Sequence, residues 1–248
     1  MTTATARTAL ITGAGRNIGR AVALTLAAEG LNVVVNGSSD RAAAEAVAAE
    51  ARALGVRALV AMGDVGHPSE CARIAGEALA EFGTVDVLVN NAALRPQKPF
   101  LDLTVEDWRR VMAVDMEAAI WLSQAVLPGM LAQGWGRIVN FTGMNAIHGY
   151  AGRAPVSVAK HGLWGLTKSM GKEFGPKGIT VNAISPGPIA ADDEDDNPTE
   201  YRQKMVARVP VGRMGRPREV AAVVRMLASE DGAFVNGQML QVNGGAET

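Results

Sequence analysis

Short apolar runs rich in β-branched residues recur along the chain, at Thr8–Thr12, Leu31–Asn36, Arg57–Met62, Val85–Asn90, Arg137–Thr142, Ile179–Ile184 and Met239–Val242. They are continuous rather than alternating, which predicts strands covered on both faces. Between them lie Ala-rich segments with apolar positions at helical spacing, such as Arg41–Leu54 and Ser69–Phe82. Strand–helix alternation of this kind predicts a parallel sheet between two helical layers, and right-handed crossovers make it a doubly wound α/β fold. No stretch has the character of a domain boundary, so residues 1–248 are expected to form one domain. The irregular stretch Ser185–Asn197, rich in Pro, Gly and acids, predicts a substrate lid at about 185–210. The uncharged run Ala118–Gly136 contains Ser123, Gln124, Pro128, Gly129 and Gln133. It predicts a buried helix or a subunit contact, not a membrane span.

Composition narrows the class. Of 248 residues, 48% are hydrophobic and 20% charged, which excludes disorder as the main state. The single cysteine, Cys71, excludes an internal disulfide. A formal net charge of −1 offers no general footprint for nucleic acid. The acids Asp192, Asp193, Glu194, Asp195 and Asp196 run together, but consecutive spacing builds no metal cage, so no metal is expected. The short polar start, Met1–Arg7, shows no targeting segment, and a cytoplasmic protein is expected.

In a doubly wound sheet, ligands bind beyond the carboxyl ends of the strands. The first strand ends in Thr12-Gly13-Ala14-Gly15-Arg16-Asn17-Ile18-Gly19, and a helical run follows. Glycines let backbone N–H groups approach a pyrophosphate at a helix N-terminus. Further marks follow in order: Gly63-Asp64-Val65 after strand three, Asn90-Asn91-Ala92-Ala93 at strand four, Lys160 on a helix, Asn182, Pro186 and Gly187 at strand six, and Gly237-Gln238 before the last strand. From Thr8 to Gly245 the chain closely resembles the short-chain dehydrogenase/reductase family, in particular its 3-oxoacyl reductase-like branch.

The resemblance implies a Rossmann-type, seven-stranded parallel sheet in three α/β/α layers, a nicotinamide cofactor, a small-molecule substrate, and a homotetramer or homodimer. By the same resemblance Gly13, Asn17, Ile18 and Gly19 face the pyrophosphate. Asp64 holds the adenine amino group, with Val65 beside it. Asn91 and Ala92 support the adenosine ribose, Lys160 binds the nicotinamide ribose, and Pro186, Gly187 and Ile189 border the nicotinamide. The second strand runs into Asn36-Gly37-Ser38-Ser39-Asp40-Arg41, with no carboxylate directly after it. That favours NADP over NAD, with Arg16 and Ser38 as phosphate contacts and Arg41 as a further candidate. A serine there that merely caps the next helix is compatible with either cofactor.

The reacting half departs from the family. There a serine holds the substrate oxygen and a tyrosine donates the proton. A lysine lowers that tyrosine's pKa, and an asparagine positions water. Here Gly143 stands at the serine position, Val156 at the tyrosine, Asp115 at the asparagine and Ala191 at a threonine. Asn17 and Ala93 replace glycines, and asparagine tolerates a left-handed backbone. Losing a general acid is worth roughly 10²–10⁴ in rate, and losing an oxyanion donor roughly 10²–10³. Ordinary ketone reduction is therefore expected to be weak. Tyr150 and His148 are candidate substitute donors, and Asp115 and Lys160 a candidate proton-moving pair. Three functions stand open: an NADP(H)-dependent oxidoreductase with a non-standard proton donor, a non-redox lyase, hydrolase or isomerase using Asp115 and Lys160, and a catalytically silent nucleotide-binding subunit.

Overall fold

The computed structural model describes residues 6–191 and 200–247. Its seven strands are β1 Thr8–Ile11, β2 Asn32–Gly37, β3 Ala58–Met62, β4 Val87–Asn90, β5 Gly136–Phe141, β6 Ile179–Pro186 and β7 Met239–Val242. They form one parallel sheet in the order β3-β2-β1-β4-β5-β6-β7. The order reverses between β1 and β4, which opens the crevice where such sheets bind ligands.

Both sheet faces are apolar, as continuous apolar strands predict. On one side Ala9, Ile11, Val33, Val35, Val87 and Val89 pack under helices α1 (Asn17–Ala28), α2 (Arg41–Ala53) and α8 (Pro217–Ala228). On the other, Leu10, Val34, Leu88 and Ile138 pack against α3 (Pro68–Phe82), α5 (Ala118–Gln133) and α6 (Ala154–Phe174). Each of the Val, Leu and Ile side chains contributes about 1.5–3 kcal/mol on burial. Three polar side chains in this core are linked in series: the Asn90 amide donates to Asn140 (2.8 Å), whose own amide donates to Thr167 (3.0 Å). The chain ties β4, β5 and α6 together directly beneath the site.

Helix α4 (Val105–Met112) opens on a reciprocal Thr104–Asp107 cap and runs through a π-helical turn, Ala113–Glu117, into α5. This 29-residue run is long and apolar enough to cross a membrane by length and composition. Leu122, Val126 and Met130 are nonetheless fully buried in the core, as expected of the uncharged run.

Element ends shift by a residue or two from the sequence reading, and two differences lie beside the cleft. Strand β6 extends to Pro186, because Ser185 and Pro186 pair in register with Gln241 and Val242, so the irregular stretch begins two residues later than expected. Glu200–Val206 forms helix α7 inside the stretch read as a lid. The acidic run 192–196 lies outside the described residues.

Candidate active site

The turn from β1 to α1 leaves no room for ordinary side chains. Gly13 has φ +61° and Asn17 φ +50°, the latter being the one non-glycine with positive φ among the described residues. A Cβ on Gly19 would strike the Gly13 carbonyl oxygen and lie 2.7 Å from the Asn91 amide nitrogen. Arg16 caps α1 without a side-chain hydrogen bond, and the first turn carries no acid. Neither an acid nor a side-chain cap competes with an anion at the first turn of α1, and a dinucleotide pyrophosphate fits this cradle. The Asn91 amide holds the turn from below, donating to the carbonyls of Thr12 (2.9 Å) and Gly13 (3.1 Å). Thr12 Oγ1 accepts from the backbone N–H of Asn91 and Ala92.

At the end of β2, Asp40 is spent as a helix cap, accepting from the Ala43 N–H at 2.9 Å. Arg16 and Ser38 are exposed there, and Arg41 lies 3.6 Å from Glu45. Asp64 is engaged by a residue the sequence reading did not single out. The Arg110 guanidinium forks both its oxygens, at 2.7 and 3.2 Å, and the Gly66 N–H donates to it at 2.9 Å. Burial works to raise the Asp64 pKa, but the Arg110 and Gly66 hydrogen bonds overcome it and hold the carboxyl below its ordinary range. Only the three-dimensional approach of α4 to the β3 loop reveals this pair.

Beyond the carboxyl ends of β5 and β6 lies a cavity of about 520 Å³. Asn17 and Ile18 of the glycine turn form part of its wall, as do Thr142, Gly143, Tyr150 and Pro186–Ile189. Gly143 adopts φ +87° and ψ 174°, a conformation reserved for glycine, and no atom lies within 4 Å of where its Cβ would stand. The serine position is thus vacant in side chain and altered in backbone. The Thr142 hydroxyl is committed to the Ile184 carbonyl at 3.1 Å.

The candidate catalytic residues separate in space. Tyr150 is on the cavity wall. His148 is not; its ring lies 4.7 Å from that of Tyr150, and its Nδ1 is 3.3 Å from Glu247. Lys160 and Asp115 are buried and also off the wall. Lys160 Nζ donates to the Phe141 carbonyl at 2.9 Å and lies 3.3 Å from Asp115 Oδ2, while Asp115 Oδ1 accepts from the Leu94 N–H at 2.7 Å. Burial pushes the Lys160 ammonium below the ordinary lysine range; Asp115 opposes that, and the charge of Arg95 adds to it. Val156 is fully buried in a small apolar cluster with Val111 and Ala159. The direct Asp115–Lys160 pair considered from sequence is present, and its ammonium faces inward.

Fold and turn together define a dinucleotide-binding α/β protein of Rossmann type. Residues 13–247 match the protein family described as Enoyl-(Acyl carrier protein) reductase. A 3-oxoacyl-[acyl-carrier-protein] reductase of Synechocystis is 39% identical over 246 residues, spanning 99% of this chain and 98% of that protein. The corresponding reductase of Staphylococcus aureus is 36% identical over 96% of this chain and 97% of its own length. Among solved structures, a putative gluconate dehydrogenase from Agrobacterium tumefaciens superposes with TM-score 0.89 at 36% identity, covering 97% of this chain and 95% of that one. Acetoin dehydrogenase YohF of Salmonella typhimurium does so with TM-score 0.90 at 35% identity, with the same coverage. The chain belongs to the short-chain dehydrogenase/reductase family, in its 3-oxoacyl reductase-like branch, and is an oxidoreductase of the nicotinamide-dependent kind.

Proposed function

We propose that this oxidoreductase uses NADP(H) on a small carbonyl or hydroxyl compound and employs a proton donor other than the family's tyrosine. One observation carries the reading: the glycine turn and the vacated serine position open into the same cavity. A bound nicotinamide would supply or accept the hydride there. Of the wall hydroxyls, that of Thr142 is already donated to a carbonyl, which leaves Tyr150 as the proton-bearing group. Exposed Arg16 and Ser38, and an Asp40 turned to capping, support NADP over NAD. We also propose a homodimer or homotetramer, supported by exposed Phe100, Leu101, Val105 and Val158 around α4 and α6. A light-scattering mass near the 25.9 kDa of one chain would end that part.

NADPH is expected to bind more tightly than NADH by fluorescence titration, followed by turnover on a panel prompted by the relatives' names: 3-oxoacyl thioesters, gluconate and acetoin with their redox partners. Tyr150→Phe is expected to lower turnover about 10²-fold or more with NADPH affinity unchanged. Equal rates in the two proteins would remove Tyr150 from the chemistry. The inward-facing Lys160 favours a second reading, the catalytically silent subunit, which predicts NADPH binding and no turnover on any panel member. The non-redox reading gains no support, since neither Asp115 nor Lys160 reaches the cavity.

A further inference from the structure

The cavity wall is cationic among its described residues. Arg95 follows β4, Arg153 precedes α6 and Arg208 follows α7, so three separate segments each bring a guanidinium to it. No aspartate or glutamate is among the described residues of the wall. Elsewhere on the surface arginines are paired, as Arg20 is with Glu50 and Arg213 with Glu219. Arg95 and Arg153 have no carboxylate partner among the described residues. Arg208 lies 3.8 Å from Glu247, which His148 also approaches, so one acid answers two basic side chains. Arg153 has its guanidinium 5.9 Å from the Tyr150 ring centre, which places it beside the proposed donor.

Like charges gathered in a cleft, two of them without a carboxylate partner among the described residues, repel one another, and the field they create is focused by the low-dielectric walls. An anion in the cleft relieves that repulsion, and the guanidinium fork matches the two oxygens of a carboxylate or phosphate. The cofactor's phosphates have donors of their own, and the test below is made with the cofactor in place. The cradle that fits the pyrophosphate is at Gly13–Gly19, and the side chains suited to a 2′-phosphate, Arg16 and Ser38, lie off the cavity wall.

We infer that the substrate carries an anionic group, a carboxylate or a phosphate, held by Arg95 and Arg153 with Arg208 behind them. This rests on the reading of the cavity as the substrate site of the oxidoreductase. It selects within the carbonyl compounds for oxo acids or phosphorylated ketones over neutral ketones of the same size.

Matched pairs test it by calorimetry on the NADP-loaded protein: levulinate against methyl levulinate, and dihydroxyacetone phosphate against dihydroxyacetone. At least one anion is expected to bind roughly 10-fold or more tightly than its neutral partner, the scale of a charged hydrogen bond. Which pair shows the difference separates carboxylate from phosphate. Arg95→Met and Arg153→Met are each expected to shrink the preference, and Arg153→Lys to keep part of it, with melting temperature and NADP affinity held. Neutral partners that bind as well as the anions overturn the inference, and so does the absence of binding by either anion. A preference that survives both methionine substitutions overturns the assignment to these residues. Should NADP itself fail to bind, the oxidoreductase reading falls, and the same pairs on the unloaded protein still decide the inference.

Discussion

Val156→Tyr combined with Gly143→Ser is expected to raise NADPH-dependent reduction of a simple oxo-ester by roughly 10²–10⁴, the value of a positioned general acid. Lys160 already lies one helical turn from position 156 on α6, and Pro186–Ile189 border the same cavity as Gly143. The gain comes at a cost to stability. Position 143 holds φ +87°, which a serine tolerates only at about 1–3 kcal/mol, although space for its Cβ is open. A tyrosine at position 156 must displace neighbours in the Val111–Ala159 cluster, at about 1–3 kcal/mol more. The double variant should therefore melt lower than its parent and be assayed well below its transition. The single variants divide the effect, with Val156→Tyr carrying most of the rate. If the double variant binds NADPH and stays silent, the missing hydroxyls are not what limits this protein.

Removing either partner of the Lys160–Asp115 pair is expected to destabilise the fold by about 3–5 kcal/mol, because the survivor is a buried charge without its counterion. Lys160 is 2% exposed and Asp115 likewise, so water cannot compensate. Lys160→Met with Asp115→Leu should recover part of that loss, since two apolar side chains need no solvation, while the Phe141 carbonyl and the Leu94 N–H still lose their partners. Denaturant unfolding of the four proteins gives the coupling directly. The pH dependence has a definite sign. Burial holds the folded-state pKa of Lys160 below its ordinary 10.5, so between those two values the unfolded chain binds the extra proton. This group's contribution then makes stability rise with pH toward 10.5, and Lys160→Met should flatten that slope. Single substitutions that cost no more than an exposed ion pair would mean the ammonium is hydrated.

Much of this was written in the sequence because local chemistry and global fold agree. The apolar runs were strands within a residue or two, since a strand buried on both faces has few other ways to satisfy Val33–Val34–Val35. Asn17 stood where the turn needs a left-handed residue, and φ +50° follows. That Asp115 and Lys160 could pair, directly or through water, followed from the family positions they occupy. The direction of the ammonium did not, because it depends on the Phe141 carbonyl at the end of β5, a backbone atom that no motif names. Arg110 on Asp64 was hidden for a similar reason: two residues 46 positions apart meet only once α4 crosses the β3 loop. The arginines of the cavity left a fainter trace. Arg95 and Arg153 lie in the loops after β4 and before α6, and their charge went unread because neither belongs to a recognised motif.

The π turn at Ala113–Glu117 couples parts of the molecule that look independent. Relative to a regular helix it adds one residue, equivalent to about 100° of rotation for everything downstream. Asp115 sits inside the widened turn, and the buried stripe of α5, Leu122, Val126 and Met130, takes its heading from where that turn ends. Excising a single residue there would swing the stripe toward solvent while dislodging the carboxylate from beneath the lysine. An insertion or deletion along this rod therefore disturbs both the buried Asp115–Lys160 pair and the packing of α5, whereas exchange of Asp115 for Asn disturbs the pair alone.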